Sequence, residues 1–70
     1  MTLRYVLVTD ICEGTDTPRY GVQAVMCDRV VAEARGISAS FDEVSRLIEL
    51  CNGLGLSVIH FYDVIDDFIG

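Results

Sequence analysis

Three cysteines and one histidine are the side chains of this sequence most suited to chemistry: Cys12, Cys27, Cys51 and His60. Thiolates and an imidazole together suit a tetrahedral zinc ion. The spacing does not favour a zinc site, because no two of the cysteines lie two to four residues apart, as paired ligands usually do. We therefore expect the cysteines to be small apolar packing residues and expect no metal or cofactor.

The predicted position of two cysteines on a hairpin gives a second argument against shared chemistry. Cys12 and Cys27 would lie at opposite ends of adjacent strands, about 25 Å apart at a rise of about 3.3 Å per residue. One zinc ion cannot bridge that distance. A disulfide is excluded as well, because it needs Cα atoms within about 7 Å of each other.

Cys51 and His60 lie on successive predicted helices and could form a nucleophile and its base. Cys51 falls on the apolar face of its helix, where burial raises the pKa of a thiol and makes it unreactive. No third group to orient the histidine is evident. We predict no catalytic residue and no enzymatic activity. A small-ligand or metal-binding domain that uses Cys51 and His60 is the alternative function, and the solvent accessibility of the Cys51 thiol discriminates between the two.

Three aspartates, Asp63, Asp66 and Asp67, share one face of the last predicted helix at positions i, i+3 and i+4. They repel one another and lie where the helix dipole is already negative. One interpretation is a patch for a basic protein partner or a divalent cation. The other is a solvated face near a helix end. Three aspartates on one helix make a poor calcium cage, so the patch is a candidate site for a protein partner.

The composition excludes several classes of partner. The chain has 70 residues, eleven acids, five arginines and no lysine, for a net charge of −6. Such a surface repels nucleic acid and anionic membranes, so we expect neither as a partner. No apolar stretch approaches the roughly 20 residues of a membrane-spanning helix. Cysteines without a secretory signal predict a cytoplasmic protein.

The order of the elements predicts a single α+β domain over residues 1–70. Residues 3–12, 19–27 and 30–37 have the β-branched and aromatic content of strands and form an antiparallel meander. The third strand has an alternative, because residues 32–35 suit a helix equally well. Turns are expected over residues 13–18 and at Asp28-Arg29.

The register of the first hairpin follows from matching its apolar residues. Pairing Cys12 with Arg19 gives one mainly apolar face, and it places Val6 opposite Val25 on the other face. Val6, Val8 and Val25 then form an apolar stripe with a charged border. Since 51% of so short a chain is hydrophobic, we expect this stripe to mediate self-association, most simply as a homodimer.

Two helices, residues 41–52 and 58–69, are predicted to pack on one face of the sheet. Ser40 and Glu43 form a capping box at the first helix, Asn52-Gly53 supplies its stop, and Ser57 caps the second helix. The apolar faces are expected to comprise Phe41, Val44, Leu47, Ile48 and Cys51 in the first helix, and Val58, Phe61, Tyr62, Ile65, Phe68 and Ile69 in the second.

Residues spread over most of the chain carry a resemblance to a known family. They are Tyr20-Gly21-Val22, Ile37-Ser38, Val44, Leu47, Cys51-Asn52, Leu56-Ser57, His60 and residues 63–69. On these residues the chain resembles a family of short proteins of clostridia-like anaerobes, catalogued as a domain of unknown function. It departs from the family at Val58, where proline is frequent. The resemblance implies a stand-alone cytoplasmic domain and carries over no catalytic residue.

These observations together favour a non-enzymatic protein-interaction or regulatory module that self-associates. The outer face of the sheet would carry the self-association, and the three aspartates of the last helix would carry the contact with a basic partner.

Overall fold

A computed structural model of the chain describes residues 3–11, 14 and 17–70, and it shows one sheet with two helices on a single face. The strands are antiparallel and follow the chain order β1-β2-β3. The predicted α+β meander with two C-terminal helices is confirmed, and residues 32–35 belong to a strand. The elements are β1 (Leu3–Ile11), β2 (Pro18–Met26), β3 (Arg29–Ser38), α1 (Phe41–Leu54) and α2 (Val58–Ile69).

The register of the first hairpin differs from the expected one by two residues. Tyr5 pairs with Ala24, and Ile11 pairs with Pro18. A shift of two leaves every side chain on its expected face, so the alternation of the sequence fits both registers equally well. Pro18 opens β2 instead of lying in the turn, a position where its missing N–H is tolerated. The expected pairing of Cys12 involves a residue outside the described part of the chain.

The turn between β2 and β3 lies one residue earlier than expected, at Cys27 and Asp28. Both residues have positive φ, +53° and +63°, and the strand pair closes between Met26 and Arg29. Positive φ at both central residues defines a type I′ turn, whose twist matches that of the flanking strands. The expected turn at Asp28-Arg29 is wrong. It would place Arg29 inside the turn, whereas Arg29 is the first residue of β3 and pairs with Met26.

β3 carries two irregularities that shape the sheet. The register of its pairing with β2 shifts between Ala24 and Val25 of β2, and again between Tyr20 and Val22. At the second irregularity β3 lies so close to β2 that a Cβ on Gly21 would fall 2.3 Å from the carbonyl oxygen of Ala34. Only glycine fits there. Gly36, on the same stretch of β3, has a φ of +61°.

The helices begin as expected, but α1 ends later. The hydroxyl of Ser40 accepts a hydrogen bond of 3.3 Å from the backbone N–H of Glu43. Asn52-Gly53 does not end the helix. The stop is Gly55, which has a φ of +60° and donates its N–H to the carbonyl of Asn52. Ser57 occupies the N-cap position of α2 without a side-chain hydrogen bond.

The core lies between the inner face of the sheet and the two helices. Phe61 is at its centre, fully buried and stacked on Tyr5 with ring centroids 5.4 Å apart. Three side chains that were expected on the apolar helix faces, Phe41, Tyr62 and Ile69, are more than half exposed. Two helices that share a narrow sheet bury only their central stripe. The buried core residues are Tyr5, Val22, Ala24, Ala32, Val44, Leu47, Cys51, Phe61 and Ile65.

No helix in the described ranges combines the length and the apolar character that crossing a membrane requires.

Candidate interaction surfaces

Asn52 ties α1 to the edge of the sheet. Its side-chain oxygen accepts a hydrogen bond of 2.8 Å from the backbone N–H of Tyr5, and its side-chain nitrogen donates one of 3.0 Å to the carbonyl of Tyr5. The Tyr5 hydroxyl donates a third bond, 2.6 Å long, to the carbonyl of Leu56. Burial raises the pKa of the Tyr5 phenol, and Cys51 adds to the shift. These contacts fix the direction in which α1 crosses β1.

The outer face of the sheet carries four valines, and neither of the two helices in the described part of the chain packs on it. Val6, Val8 and Val25 are half-buried, and Val30 is 53% exposed. The expected contact of Val6 with Val25 across the strands is wrong, because the true register places Val6 opposite Gln23 and Val25 opposite Arg4. The two valines are therefore diagonal neighbours, a separation that side chains on one sheet face still bridge. We call this set, Val6, Val8, Val25 and Val30, the valine face.

An ion pair borders the valine face at its far end. Arg35 on β3 donates from Nε to both carboxylate oxygens of Asp10 on β1, at 3.2 and 3.1 Å. Gly21 of the middle strand lies against Arg35, since a Cβ added there would fall 2.7 Å from the Cα of Arg35. The hydrogen bond from Arg35 holds the pKa of Asp10 below its usual value, and the charge of Arg35 acts in the same direction.

The opposite end of the valine face has a hollow beside the β2–β3 turn. Its volume is about 340 Å³, and it is lined by Arg4, Val25, Cys27 and Asp28. A cation and an anion thus border the same concavity. A second hollow, of about 410 Å³, lies between the two helices and is lined by Glu43, Arg46, Leu47, Leu50 and Phe68. Sequence periodicity gave no sign of either hollow, because each is formed by residues from more than one element.

Charge is divided unequally between the two layers. The strands carry four arginines and two acids, a net charge of +2. The helices carry six acids and one arginine, a net charge of −5. The acidic residues of the chain are therefore concentrated in the helical layer and, with Glu13, Asp16 and Asp28, in the segments between strands, and not in the sheet.

The three aspartates of α2 lie on the solvent side of the helix, as the sequence predicts. Asp63, Asp66 and Asp67 are all exposed. Across the described ranges, the ion pairs both involve Arg35, so none of these aspartates has a cationic side chain in contact. The patch is thus available to a partner from outside.

The candidate ligands for a metal lie in different environments. Cys51 is 1% exposed within the core, and burial raises the pKa of its thiol. His60 is exposed on α2, Cys27 is exposed in the β2–β3 turn, and Cys12 lies outside the described residues. Among the residues the structure describes, no three His, Cys, Asp or Glu side chains come together in a group that could hold a metal ion. Cys51 is placed as a packing residue.

The comparison with known families matches the whole chain. A family described as a family of unknown function, DUF6514, covers residues 1–70, and the chain belongs to it. Neither the search of curated proteins nor the search of solved structures found a match.

Proposed function

We propose that this chain is a non-enzymatic protein-interaction module that self-associates through the valine face. The observation that carries the proposal is the one-sided cover of the sheet: α1 and α2 pack on the inner face, while four valines lie on the outer face. A small domain with a thin core gains stability by burying such a face against another chain.

Charge supports self-association through the sheet over self-association through the helices. Two helical layers of net charge −5 would repel each other, whereas the strands have a net charge of only +2. The hollow at the end of the valine face also has self-complementary charges. In a two-fold dimer, Arg4 of one copy can lie opposite Asp28 of the other, since an isologous interface joins the same patch on both subunits.

Sedimentation equilibrium of the purified protein tests this proposal. We expect a mass twice that of the 7.7 kDa chain. Val8→Lys places a charge in the centre of the valine face and should give a monomer. The matched control is Ile59→Lys, which adds the same charge at a helix residue that is 84% exposed, and should remain a dimer. A wild-type monomer at all concentrations, or equal dissociation of both variants, would contradict the proposal.

A basic protein is the partner that we propose for the aspartates of α2. Three exposed carboxylates without a cationic neighbour favour a lysine- or arginine-rich surface. A lysine-rich peptide should bind, shift the NMR signals of α2 and dissociate as salt rises.

Replacing Asp63, Asp66 and Asp67 with Asn should abolish binding of that peptide. The control changes the three acids of α1, Asp42, Glu43 and Glu49, to their amides and therefore alters net charge equally. Equal losses in both triple variants would mean that the peptide senses overall charge and not the patch on α2.

The same proposal places the protein in the cytoplasm of clostridia-like anaerobes. The family resemblance of the sequence and its free cysteines, Cys27 and Cys51, support that placement.

A further inference from the structure

The two helices lie side by side on the sheet without closing on each other. α1 packs against β1 and β2, and α2 packs against β3, with few close approaches between the two helix backbones. The helices run antiparallel: the turn at Gly55 joins them at one end, and at the other end Phe68 of α2 lines the same hollow as Glu43 in the first turn of α1. That hollow, of about 410 Å³, is the open part of a groove between the helices, which we call the interhelical groove.

α1 lines the interhelical groove with a seam of leucines. Leu47, Leu50 and Leu54 follow one another at intervals of three and four residues, which places them along one side of the helix. Leu47 is buried, but Leu50 is 55% and Leu54 is 68% exposed. On the facing side of α2, Val64 and Phe68 lie one turn apart and are half-buried. Intervals of three and four residues are the pattern on which one helix receives another, so this leucine seam fits a helical occupant.

Charged side chains border the interhelical groove on its solvent side. Glu43 and Arg46 line the hollow from α1. On α2, Asp67 lies three residues after Val64, and Asp63 lies four residues before Asp67, so both exposed carboxylates are on the groove side of the helix. Across the part of the chain that the structure describes, none of these four charges takes part in an ion pair. Three acids and one cation give this border a net charge of −2, and its α2 side is purely acidic.

We propose that the interhelical groove binds an amphipathic helix of a basic partner protein. The proposal rests on the basic partner proposed above for the aspartates of α2, and it adds where that partner lies and which kind of segment makes the contact. The segment has about three turns, since the groove follows α1 from Glu43 to Leu54, about 16 Å at 1.5 Å per residue. Its apolar residues repeat at intervals of three and four and pack on the leucine seam. Its lysines or arginines lie along Asp63 and Asp67, and an acid on its other flank meets Arg46.

Charge selects such a segment over the helices of a second copy. The helical layer carries six acids and one arginine, a net charge of −5. α2 has no cation to offer to the aspartates of another copy, and α1 has only Arg46. Two helical layers therefore repel, whereas a basic helix is attracted to the acidic side of the groove. The interhelical groove and the valine face lie on opposite sides of the sheet, so both can be occupied at once.

NMR titration of the intact, methyl-labelled protein with two end-blocked basic peptides tests the proposal. The first peptide has leucines at alternating intervals of three and four residues, lysines on one flank and a single glutamate on the other. The second has the same composition with the leucine spacing scrambled. The first should give nuclear Overhauser effects to the methyl groups of Leu50 and Leu54, and none to Val8 on the valine face. The scrambled peptide should bind about tenfold more weakly, because it cannot bury its leucines on one side of a helix.

A matched pair of variants tests whether the leucine seam makes the contact. Leu50→Ala should weaken binding of the first peptide by about tenfold, as expected when a leucine that becomes buried on binding is truncated. The control is Ile69→Ala, at a residue that is 61% exposed on the far flank of α2, and its affinity should not change. Both side chains are more than half exposed, so both variants should keep the fold, which circular dichroism checks.

The outcomes separate the groove from the basic partner on which it rests. Equal binding of the two peptides, or equal affinities of Leu50→Ala and Ile69→Ala, would overturn the groove and leave the partner of the aspartates in place. Failure of the first peptide to bind a protein that does bind a lysine-rich peptide would have the same meaning. Failure of every basic peptide would overturn both proposals. Nuclear Overhauser effects between copies at Leu50 and Leu54 without peptide would also overturn the groove proposal, because a second copy would then be the occupant.

Discussion

Two neighbouring residues of one strand, Tyr5 and Val6 of β1, point to opposite faces of the sheet and differ sharply in burial. On the inner face Tyr5 is 3% exposed, lies against Phe61 and has a hydrogen bond for its hydroxyl. On the outer face Val6 and Val8, which are more apolar, stay half-buried. Burial here is decided by the layer on which the helices pack. The outer face thus carries four valines that neither helix covers, within a border of charged residues.

Removing the centre of the inner face should have the largest effect. Phe61→Ala deletes a fully buried ring, and we expect a loss of about 3–5 kcal/mol in the free energy of unfolding. Urea denaturation followed by circular dichroism measures it. Tyr62→Ala, at the half-exposed neighbour, is the control and should cost far less. Equal losses would mean that Phe61 does not organise the core.

A substitution at Gly21, a glycine on the outer face of the sheet, should have the second largest effect on stability. Gly21→Ala places a Cβ 2.3 Å from the carbonyl oxygen of Ala34, and the expected loss is about 2–3 kcal/mol. The control is Gly53→Ala within α1, where an added Cβ meets no atom within 4 Å. That change should stabilise the protein by about 0.5–1 kcal/mol because alanine favours a helix. The same sign for both variants in urea denaturation would contradict the close approach of β3 to β2.

Removing the contact between Asn52 of α1 and Tyr5 at the sheet edge should have a smaller effect on stability. Asn52→Ala removes two hydrogen bonds to Tyr5, and the expected cost is about 1–2 kcal/mol. It should also speed exchange of the Tyr5 amide. Glu49→Ala, at an exposed residue of the same helix, controls for helix propensity. Unchanged exchange of the Tyr5 amide would show that the hydrogen bonds between the Asn52 side chain and the Tyr5 backbone do not form in solution.

Breaking the ion pair between Asp10 and Arg35, at the border of the valine face, should have the smallest effect on stability. Because Asp10 has a lowered pKa when folded, protonation favours the unfolded chain. The contribution of Asp10 to stability is therefore present above its ordinary value of 3.8 and is lost as the pH falls through the lowered pKa. Carbon-13 titration of the Asp10 carboxyl should show a higher pKa in Arg35→Gln. An identical titration curve in that variant would remove Arg35 as the cause.

Alternation and helical periodicity were enough to predict the elements. The alternation of Tyr5, Leu7 and Thr9 assigned the inner face correctly even though the register was two residues out, since a period of two cannot distinguish such registers. The capping box at Ser40 predicts the start of α1 correctly, because it depends only on residues three positions apart. The helical spacing of apolar residues overstates the burial of Phe41. Spacing shows which face of a helix is apolar, but it carries no information on how wide the sheet beneath that face is.

Features that depend on long-range contacts were not predictable. The sequence predicts Asn52 as part of a helix stop, whereas its amide binds a strand 47 residues away. Gly21 enters the sequence predictions only through the family resemblance, although a glycine inside a strand is a sign of close backbone approach. Val30 was missing from the predicted self-association set because the bulge at Val31 decides which face it joins.

The most direct test of the account is a search for contacts between copies by isotope-filtered NMR. An equal mixture of carbon-13-labelled and unlabelled protein reports only nuclear Overhauser effects that cross between chains. The account predicts such effects at the methyl groups of Val6, Val8 and Val25, and none at Leu54 or Ile59 on the helices. Effects confined to Leu54 and Ile59, or none at millimolar protein, would contradict the claim that the outer face of the sheet is the interaction surface.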